Sequence, residues 1–520
     1  MEDLVMFPSD SNLEAEFTFE TASQPVPEDP PFKMIFLGDW SGRGSQFSGE
    51  GASPPRPVFI DRDNFEDVLR KLDVKINLDL YNDGENLLTL HFKELEDFHP
   101  DRLFQQVPLF SDLRDLRSRL LNPETFERAA GEVRSWFGQD RSETSSESEP
   151  TAVESETTVV ESENLLDQIL GQTGGEGAST KTVQTTQSRE LSKFIGKIVE
   201  SHIIQTDENE QTKLLAIVDR ATSDLMRTIL HNEEFQTLES AWRAIFLLVR
   251  QIETDVDLKL YLFDISKGEL ADDLKKVNSL EDSTIYKWLV KETIETPGGE
   301  PYAVFCGNFS FGVNVDDIAL LVRLAKIANS ANAPFLSYIL PQMLGINSLA
   351  DNPDSRTWGM SDDSDETKLW STLRTLPEAN YLGLATPRFL ARLPYGSETD
   401  PTEAFSFEEF TSQSEHDEYL WSNPSFACAL LLAQSYRAGG WEMGNNLFQV
   451  LNNLPTHFFE DEGETKTKPC AEVLMTETAC QRLLDEGIMP LISFRNTDRV
   501  QIGRFQSIAQ PPKRLGGRWN

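Results

Sequence analysis

Cysteine is scarce in this chain of 520 residues, and its four cysteines lie far apart. None of them forms a C-x-x-C pair, so the sequence supplies neither a disulfide framework nor the paired ligands of a zinc ribbon. Histidine is scarce as well, with six residues and none at the spacing of a metal-ligand pair. This composition is typical of a protein in a reducing cytosol, and it predicts no metal site.

Long apolar stretches are also missing. The longest runs, such as AIFLLV at 244–249 and ACALLLA at 427–433, are much shorter than the roughly 20 residues that span a bilayer. The N-terminus lacks the basic region and the apolar core of a signal peptide. We therefore expect a soluble cytoplasmic protein with no direct membrane insertion.

Positive charge is in deficit. The chain has 47 Lys and Arg against 86 Asp and Glu, a net charge of -39. So acidic a surface repels the phosphates of nucleic acids and anionic lipid head groups, so neither is an expected partner. Copies of the chain repel one another too, and any polymer therefore needs specific contacts, with basic surfaces among them.

The nucleotide-binding fingerprints are absent, although MIFLGDWSGRG at 34–44 resembles one in outline. Its glycines, Gly38, Gly42 and Gly44, match neither G-x-G-x-x-G nor the P-loop. The stretch that follows, SQFSGEGASPPRP, predicts irregular chain and not a helix N-terminus that would hold a phosphate. We interpret the segment as a buried strand that ends in a structural turn, and we expect no cofactor.

No catalytic site emerges from the remaining motifs. GNFSFG at 307–312 lacks the G-x-S-x-G spacing of a nucleophile elbow. EDFHPD and SEHDE place histidine beside carboxylates, as chance does in so acidic a chain. SDDSDET at 361–367 lacks the frame of an EF-hand loop, and a solvated acidic loop is expected there. We expect no enzyme.

The sequence does contain a first body of strands and helices. Residues 1–30 are acidic and carry proline, which predicts a flexible arm. Over 31–138 the periodicity predicts buried strands, an amphipathic helix over RDNFEDVLRKLD and a strand pair joined by NDGE. Helices follow, one of them with Leu113, Leu116 and Leu120 on one face. We interpret 31–138 as a small strand–helix domain.

An acidic tether follows this body. Residues 139–163 contain eight acidic residues, ten Ser or Thr and no aromatic residue, so they cannot bury enough surface to order themselves. We predict a disordered linker over 139–187.

The linker carries one apolar island, LLDQIL at 165–170. Its spacing places Leu165, Leu166, Ile169 and Leu170 on one stripe of a short helix. Two interpretations stay open from the residues alone. The stripe packs on the chain's own globular body, or it is a motif that binds a groove on a partner.

A second, larger body runs over 188–520. Helical periods such as VDDIALLVRLAKIANSANA alternate with strand-like runs such as DLKLYLFDIS, YAVFCGNFSF and PFLSYIL. The predicted fold class is α/β (α+β): a small strand–helix domain and a larger mixed α/β core, joined by the acidic disordered linker.

Several phrases of the second body resemble a known family. They are HNEEFQTLESAWR (231–243), GGEPYAVFCGNFSF (298–311), YLGLATPRFLARLPYG (381–396), FEEF, YLWSNPSFACA (419–429) and FQSIAQPPKR. In this order they resemble the large subunit of the contractile sheath of bacterial type VI secretion systems, the TssC family. FKMIFLGDWSGRG and LTLHFKELEDFHPDRLFQQVP of the first body resemble the small sheath subunit, TssB. The chain thus resembles a fusion of the two subunits.

The resemblance implies a mechanical function. Sheath subunits polymerise into a hollow helix around an inner tube, and contraction drives that tube through a target membrane without any catalytic residue. The implied partners are other sheath subunits or further copies of this chain, an inner-tube protein and a ClpV-type AAA+ unfoldase, with baseplate proteins as a further candidate. The implied compartment is the bacterial cytoplasm.

The resemblance also gives LLDQIL a role. In the family the unfoldase grips a short helix near the start of the large subunit, which is where LLDQIL stands. By this resemblance Leu165, Leu166, Ile169 and Leu170 fill the groove of the unfoldase, and Asp167 meets its basic rim.

Two departures from the family leave an alternative open. The family's large subunit continues past SIAQPPKR into a segment that links neighbouring subunits, so we expect a large-subunit core that lacks this C-terminal segment. The acidic tether also stands where family members contribute strands to the intersubunit mesh. The chain is then either a sheath-type subunit or an accessory protein that caps, nucleates or regulates a sheath or associates with the baseplate. A soluble enzyme on a reused core is a third interpretation, without a constellation of residues to support it.

Overall fold

The computed structural model describes residues 30–44, 55–80, 87–138, 210–359, 364–411, 416–461 and 463–519. The predicted arm up to residue 29, the predicted linker and the LLDQIL island lie outside these residues.

The chain forms two compact units. Unit 1 comprises Met1–Val68, Ser240–Ala391 and Trp421–Asn520. Unit 2 comprises Leu69–Glu239 and Arg392–Leu420. Each unit therefore contains residues from both predicted bodies. The predicted linker at 139–187 separates the two bodies in the sequence, and the two compact units follow a different division.

The strands of the described residues are β1 (Phe32–Gly38), β2 (Val58–Ile60), β3 (Lys75–Asp79), β4 (Leu87–His91), β5 (Leu258–Asp264), β6 (Tyr302–Phe311), β7 (Phe335–Ile339), β8 (Leu382–Thr386), β9 (Phe389–Leu390), β10 (Trp421–Ser422), β11 (Val450–Leu451), β12 (His457–Asp461), β13 (Glu464–Lys468), β14 (Met489–Ser493) and β15 (Val500–Ile502).

The longer helices there are α1 (Phe65–Leu72), α2 (Pro100–Gln106), α3 (Pro108–Leu121), α4 (Phe126–Gly138), α5 (Glu210–Leu230), α6 (Glu233–Gln251), α7 (Lys267–Lys275), α8 (Val315–Ala331), α9 (Asp365–Thr375), α10 (Pro424–Gly439) and α11 (Glu477–Asp485). A π-helix, Lys287–Glu295, lies between α7 and β6.

A nine-stranded sheet forms the core of unit 1, in the order β11-β15-β14-β8-β7-β6-β1-β5-β2. Neighbours from β14 to β5 are parallel, whereas β2, β15 and β11 pair antiparallel at the two sides. Strands buried on both faces read as continuous apolar runs, and FLSYI of β7 is buried at every position. With helices packed on this sheet, the predicted mixed α/β fold class is confirmed.

The sheet takes one of its interior strands from the N-terminal body. β1 pairs with β5 over its whole length, from Phe32 opposite Leu258 to Gly38 opposite Asp264. Its other edge pairs with β6. All seven residues of β1 are buried. The strand is therefore enclosed by two strands that follow it by more than 200 residues in sequence.

Both faces of β1 contribute to apolar cores. Alternate side chains of a strand point to opposite faces. Ile35 and Leu37 join the large cluster that includes the buried residues of α8. Phe36 belongs to the other face, where its ring stacks on Phe426 of α10 at a centroid distance of 5.6 Å. Removing β1 would consequently open both cores.

Unit 2 is built mainly from helices. The buried residues of α3, Phe110, Leu113, Leu116 and Leu120, form one apolar stripe, and α3 packs against α4 and α5. The predicted apolar face of Leu113, Leu116 and Leu120 is thus confirmed. Val107 interrupts the helical stretch before α3, because a residue that precedes proline is disfavoured in the α region.

Unit 2 also joins N-terminal helices to the segment that follows β9. Phe104 of α2 stacks on Phe405 with the ring centroids 4.6 Å apart. The Asp101 carboxylate accepts hydrogen bonds from the backbone N–H groups of Glu403 and Ala404, each at 2.9 Å. These contacts complete unit 2 from chain segments about 300 residues apart.

The interior position of β1 generates a test. We expect residues 188–520 expressed alone to be insoluble, because β5 and β6 would each expose an unpaired edge. Co-expression of residues 1–138 as a separate chain should restore a soluble complex. Phe36→Asp in that chain should abolish the rescue, because the substitution places a charge in the core. Phe59→Asp is the control, since that side chain is 38% exposed.

Affinity purification followed by size-exclusion chromatography measures the rescue. A soluble, monodisperse 188–520 fragment without its companion would contradict the role assigned to β1.

Candidate functional site

The strand–glycine turn at 34–44 is organised by carboxylates. Asp264, the last residue of β5, accepts hydrogen bonds from the backbone N–H of Trp40 at 2.9 Å and of Ser41 at 3.1 Å, and from the Ser41 hydroxyl at 2.8 Å. Asp39 accepts from the backbone N–H groups of Arg43 and Gly44. The N–H groups that would face a phosphate therefore bind the chain's own side chains.

The electrostatics of this turn also disfavour an anion. Burial raises the pKa of Asp39 and of Asp264, and the Arg43 guanidinium opposes the rise. That guanidinium lies 2.9 Å from an Asp264 oxygen and 3.9 Å from a Glu269 oxygen. One arginine thus stands among three acidic side chains, and a phosphate would meet net repulsion.

The turn instead packs on α6. The indole N–H of Trp242 donates to the carbonyl of Trp40 at 3.0 Å, and both indoles are fully buried. Phe65 of α1 meets Trp242 edge-on at a centroid distance of 5.7 Å. The glycine turn thus has a structural role.

A buried charge cluster lies in unit 2 and joins three of the phrases that carry the resemblance. Arg392, from YLGLATPRFLARLPYG, donates to both oxygens of Glu239 at 2.8 and 3.3 Å. It also donates to both oxygens of Glu409, from FEEF, at 2.7 and 3.0 Å. Glu239 comes from HNEEFQTLESAWR. The side chains of Arg392, Glu239 and Glu409 are 7%, 0% and 1% exposed, respectively.

The cluster stabilises the ionised form of Glu409. Burial pushes the pKa of Glu409 up, but Arg392, the His231 imidazole 3.6 Å away and a hydrogen bond from the backbone N–H of Tyr395 together outweigh burial and hold the pKa at about 2. The Tyr395 N–H donates at 2.7 Å, and the Arg392 guanidinium lies 4.1 Å from the centroid of the Tyr395 ring. One guanidinium thus serves two carboxylates, and the Tyr395 N–H donates a further hydrogen bond to Glu409.

The chemistry of the cluster is structural. Each Arg392 nitrogen that reaches a carboxylate is part of a two-pronged contact, which fixes the angle as well as the distance between the partners. Such buried pairs specify one arrangement of the chain more than they add stability. Here the arrangement fixes the first turns of α6 against the segments 392–395 and 407–410.

The residues of LLDQIL, namely Leu165, Leu166, Asp167, Ile169 and Leu170, lie outside the described residues, so the structure does not place them.

The histidine and acidic motifs that the sequence analysis set aside have local structural roles where they are described. His99 Nδ1 accepts from the Asp101 N–H at 3.2 Å and caps the start of α2. Ser364 of SDDSDET caps α9, whereas residues 361–363 lie outside the described chain. Over the described ranges, no group of three or more His, Cys, Asp or Glu residues is placed to hold a metal ion.

Sequence reasoning missed the Arg392 cluster, although a signal for it exists. Glu239 lies four residues after Phe235 and three before Trp242, both fully buried, so it falls on the apolar stripe of α6. A carboxylate on such a stripe requires a buried cation. The sequence offers many arginines as partners, and only the folded chain selects Arg392.

The cluster generates a prediction for stability. Arg392→Met leaves two buried carboxylates without their cation and should lower the free energy of unfolding by about 3–5 kcal/mol. Arg356→Met is the control, because Arg356 is 87% exposed and pairs with Asp354, two residues away, and it should leave the transition unchanged. Urea unfolding followed by tryptophan fluorescence measures both. Equal midpoints for the two variants would contradict the assigned role.

Comparison with known proteins identifies two sheath families along the chain. The family model of VipB, described as EvpB/VC_A0108, tail sheath N-terminal domain, matches residues 212–509, more than half of the chain. The family model described as Type VI secretion system, VipA, VC_A0107 or Hcp2 matches residues 11–128. Glu239, Arg392 and Glu409 all lie within the VipB match, and β1 lies within the VipA match.

A curated relative supports the same assignment. The type VI secretion system sheath protein TssC1 of Pseudomonas aeruginosa is 35% identical over 308 residues, which cover 57% of this chain and 61% of that protein. The chain therefore matches about three fifths of the length of this relative. In the part of the chain that the structure describes, no helix is both long enough and apolar enough to cross a membrane. With its matched segments in the order VipA then VipB, the chain belongs to the VipB tail sheath family of type VI secretion systems and carries a VipA-type segment ahead of its VipB domain.

Proposed function

We propose that this chain is a structural subunit of a type VI secretion apparatus in the bacterial cytoplasm, a sheath-type protein that assembles around an inner tube and contributes to contraction. The observation that carries the proposal is the position of β1. A strand from the VipA-type segment is paired on both edges with strands of the VipB domain. One chain thus carries a small-subunit segment and a large-subunit domain in a fixed one-to-one ratio.

The geometry suits a part that bears load. β1 and β5 pair over seven consecutive residues in parallel register, so a pull along β1 would load its ladder of hydrogen bonds together. Buried interactions also join neighbouring segments. They are the contact of Trp242 with Trp40, which follows β1, and the Arg392 cluster. The proposed function is mechanical and requires no catalysis by the chain.

The proposed partners follow from this function. They are further copies of the chain or other sheath subunits, an inner-tube protein, and a ClpV-type unfoldase that binds LLDQIL. Baseplate proteins are a further candidate. The net charge of -39 favours partner surfaces that are basic.

The same charge favours a second candidate function. Copies that each carry -39 repel one another, so the chain would then act as an accessory protein that caps, nucleates or regulates a sheath, or associates with the baseplate, without polymerising itself. Salt separates the two candidates, because the screening length falls from about 10 Å at 0.1 M to about 3 Å at 1 M ionic strength.

Electron microscopy tests the sheath function. We expect the purified protein, mixed with its cognate tube protein, to form hollow tubules, in larger number at high salt because screening weakens the repulsion between copies. Monodisperse particles at every salt concentration, under conditions in which a homologous unfused pair forms tubules, would reject polymerisation and favour the accessory function.

The LLDQIL motif gives a separate prediction. Leu166→Asp together with Ile169→Asp should weaken binding to the cognate unfoldase N-domain at least about a hundredfold, because two buried apolar anchors each contribute about 2 kcal/mol or more. Gln168→Asp is the matched control, since it adds charge to the same segment off the apolar stripe. Titration of the labelled N-domain measures the affinities. An unchanged affinity in the double variant would reject the motif.

A further inference from the structure

One edge of the sheet in unit 1 is basic, in contrast to the chain as a whole. Residues 495–518 contain six Lys or Arg and one Asp, in a protein of net charge -39. Five of these cations are exposed: Arg495, Arg499, Arg504, Lys513 and Arg514. So local an excess of positive charge is the electrostatic counterpart of an acidic ligand.

This positive charge borders exposed apolar side chains on the outermost strand, β11, and just before it. β11 is the last strand in the order of the nine-stranded sheet, and Phe448 and Val450 are 44% and 40% exposed. Val450 lies opposite Gln501 of β15, and Arg499 and Arg504 flank β15 on either side. We call this surface, formed by Phe448, Val450, Arg499, Arg504, Lys513 and Arg514, the basic edge.

Lys513 and Arg514 reach the basic edge through the last turn of the chain. Gln506, two residues after Arg504, pairs with Arg514 in an antiparallel bridge, and the N–H of Ser507 donates to the carbonyl of Lys513 at 3.0 Å. The backbone therefore brings these two cations close to Arg504.

The N-terminal arm enters the fold beside the basic edge. The carbonyl of Pro30 accepts a hydrogen bond of 2.8 Å from the Trp441 indole. In the same turn, the Asn445 side chain accepts from the Arg514 guanidinium at 3.1 Å. The ring of Phe32 packs on Trp441 and on Trp519, with centroid distances of 5.5 and 6.1 Å. The arm thus joins the folded part of the chain at a turn that Arg514 contacts.

The sequence of the arm complements this surface. Residues 1–29 contain eight acidic residues and no Lys or Arg. Within them LEAEFTFE, at 13–20, alternates apolar side chains with Glu14, Glu16, Thr18 and Glu20. This period of two is typical of an extended segment with one apolar and one acidic face. The ten residues from Glu20 to Pro30 span up to about 33 Å when extended, which is the reach of 13–20 from the turn that Arg514 contacts.

We propose that residues 13–20 dock on the basic edge of the same chain, with Phe17 and Phe19 against Phe448 and Val450 and the glutamates near the four cations. A tether raises the local concentration of the arm to the millimolar range, whereas a second copy is dilute and is repelled by its charge. The docked arm covers a strand edge that would otherwise promote aggregation. The contact requires only the fold and does not depend on the proposed function.

Carbodiimide cross-linking tests the contact, because this reagent joins carboxylates to lysine amines at zero length. An equal mixture of the natural-abundance and the ¹⁵N-labelled full chain is cross-linked and analysed by mass spectrometry. We expect links between arm glutamates and Lys513 within one isotopic species. Links that join the two species as often as they join one would overturn the proposal in favour of an arm from a second copy.

Substitutions in the arm test the contact without changing any residue of the basic edge. Phe17→Ser should reduce the arm–Lys513 link about tenfold, because it removes a buried aromatic side chain. Phe7→Ser, the same change outside the alternating run, should leave the link unchanged. Equal yields from the two variants would overturn the proposal.

Hydrogen–deuterium exchange of the full chain supplies a second readout. We expect the amides of 449–451 to exchange about tenfold faster in Phe17→Ser than in Phe7→Ser, because the edge is uncovered in the former. Arg499→Glu with Arg504→Glu should speed this exchange too, and Arg62→Glu, at another exposed arginine, should not. Identical exchange in all variants would overturn the proposal. Both readouts use the unassembled chain, so a failure to form tubules does not affect them.

Discussion

The parallel pairing of β1 with β5 and β6 is the contact on which both halves of the chain depend. β1 is separated by more than 200 residues in sequence from the strands with which it pairs. Closing so long a loop costs conformational entropy, but this cost grows only slowly with loop length. Once in place, β1 supplies Ile35 and Leu37 to one apolar core and Phe36 to the other. The VipA-type and VipB segments thereby share the sheet of unit 1, and one chain supplies both segments.

Electrostatics then determine which details of the fold are unique. The chain carries a large excess of negative charge, yet three of its partly or fully buried carboxylates have specific donors: Asp264 holds the turn after β1, and Glu239 and Glu409 hold Arg392. A buried carboxylate that loses its partner raises the free energy of the folded chain by far more than the intact pair lowers it. Folds that leave these carboxylates unpaired are therefore strongly disfavoured. A protein proposed to work by mechanical rearrangement benefits from subunits that keep one internal structure.

Local patterns explain which parts of this structure are predictable. The strand FKMIFLG, the helix RDNFEDVLRKLD and the hairpin around NDGE were predicted from alternation and turn residues, and β1, α1 and the β3–β4 pair confirm them. The apolar stripe of α3 was found in the same way. The Arg392 cluster was not found, because its members are separated by up to 170 residues and nothing in the sequence pairs Glu239 with one arginine among many.

By itself, the sequence determined the periodicity of the elements, the acidic excess, the lack of a nucleotide fingerprint and the resemblance to small and large sheath subunits in one chain. Each of these depends on residues that are neighbours in sequence or on composition. Only the tertiary structure decided that β1 lies inside the sheet of the VipB domain, that each compact unit takes segments from both bodies, and that Pro30 binds the turn that Arg514 contacts. Strand order and charge pairing arise from contacts between distant residues, whose free energies no local pattern records.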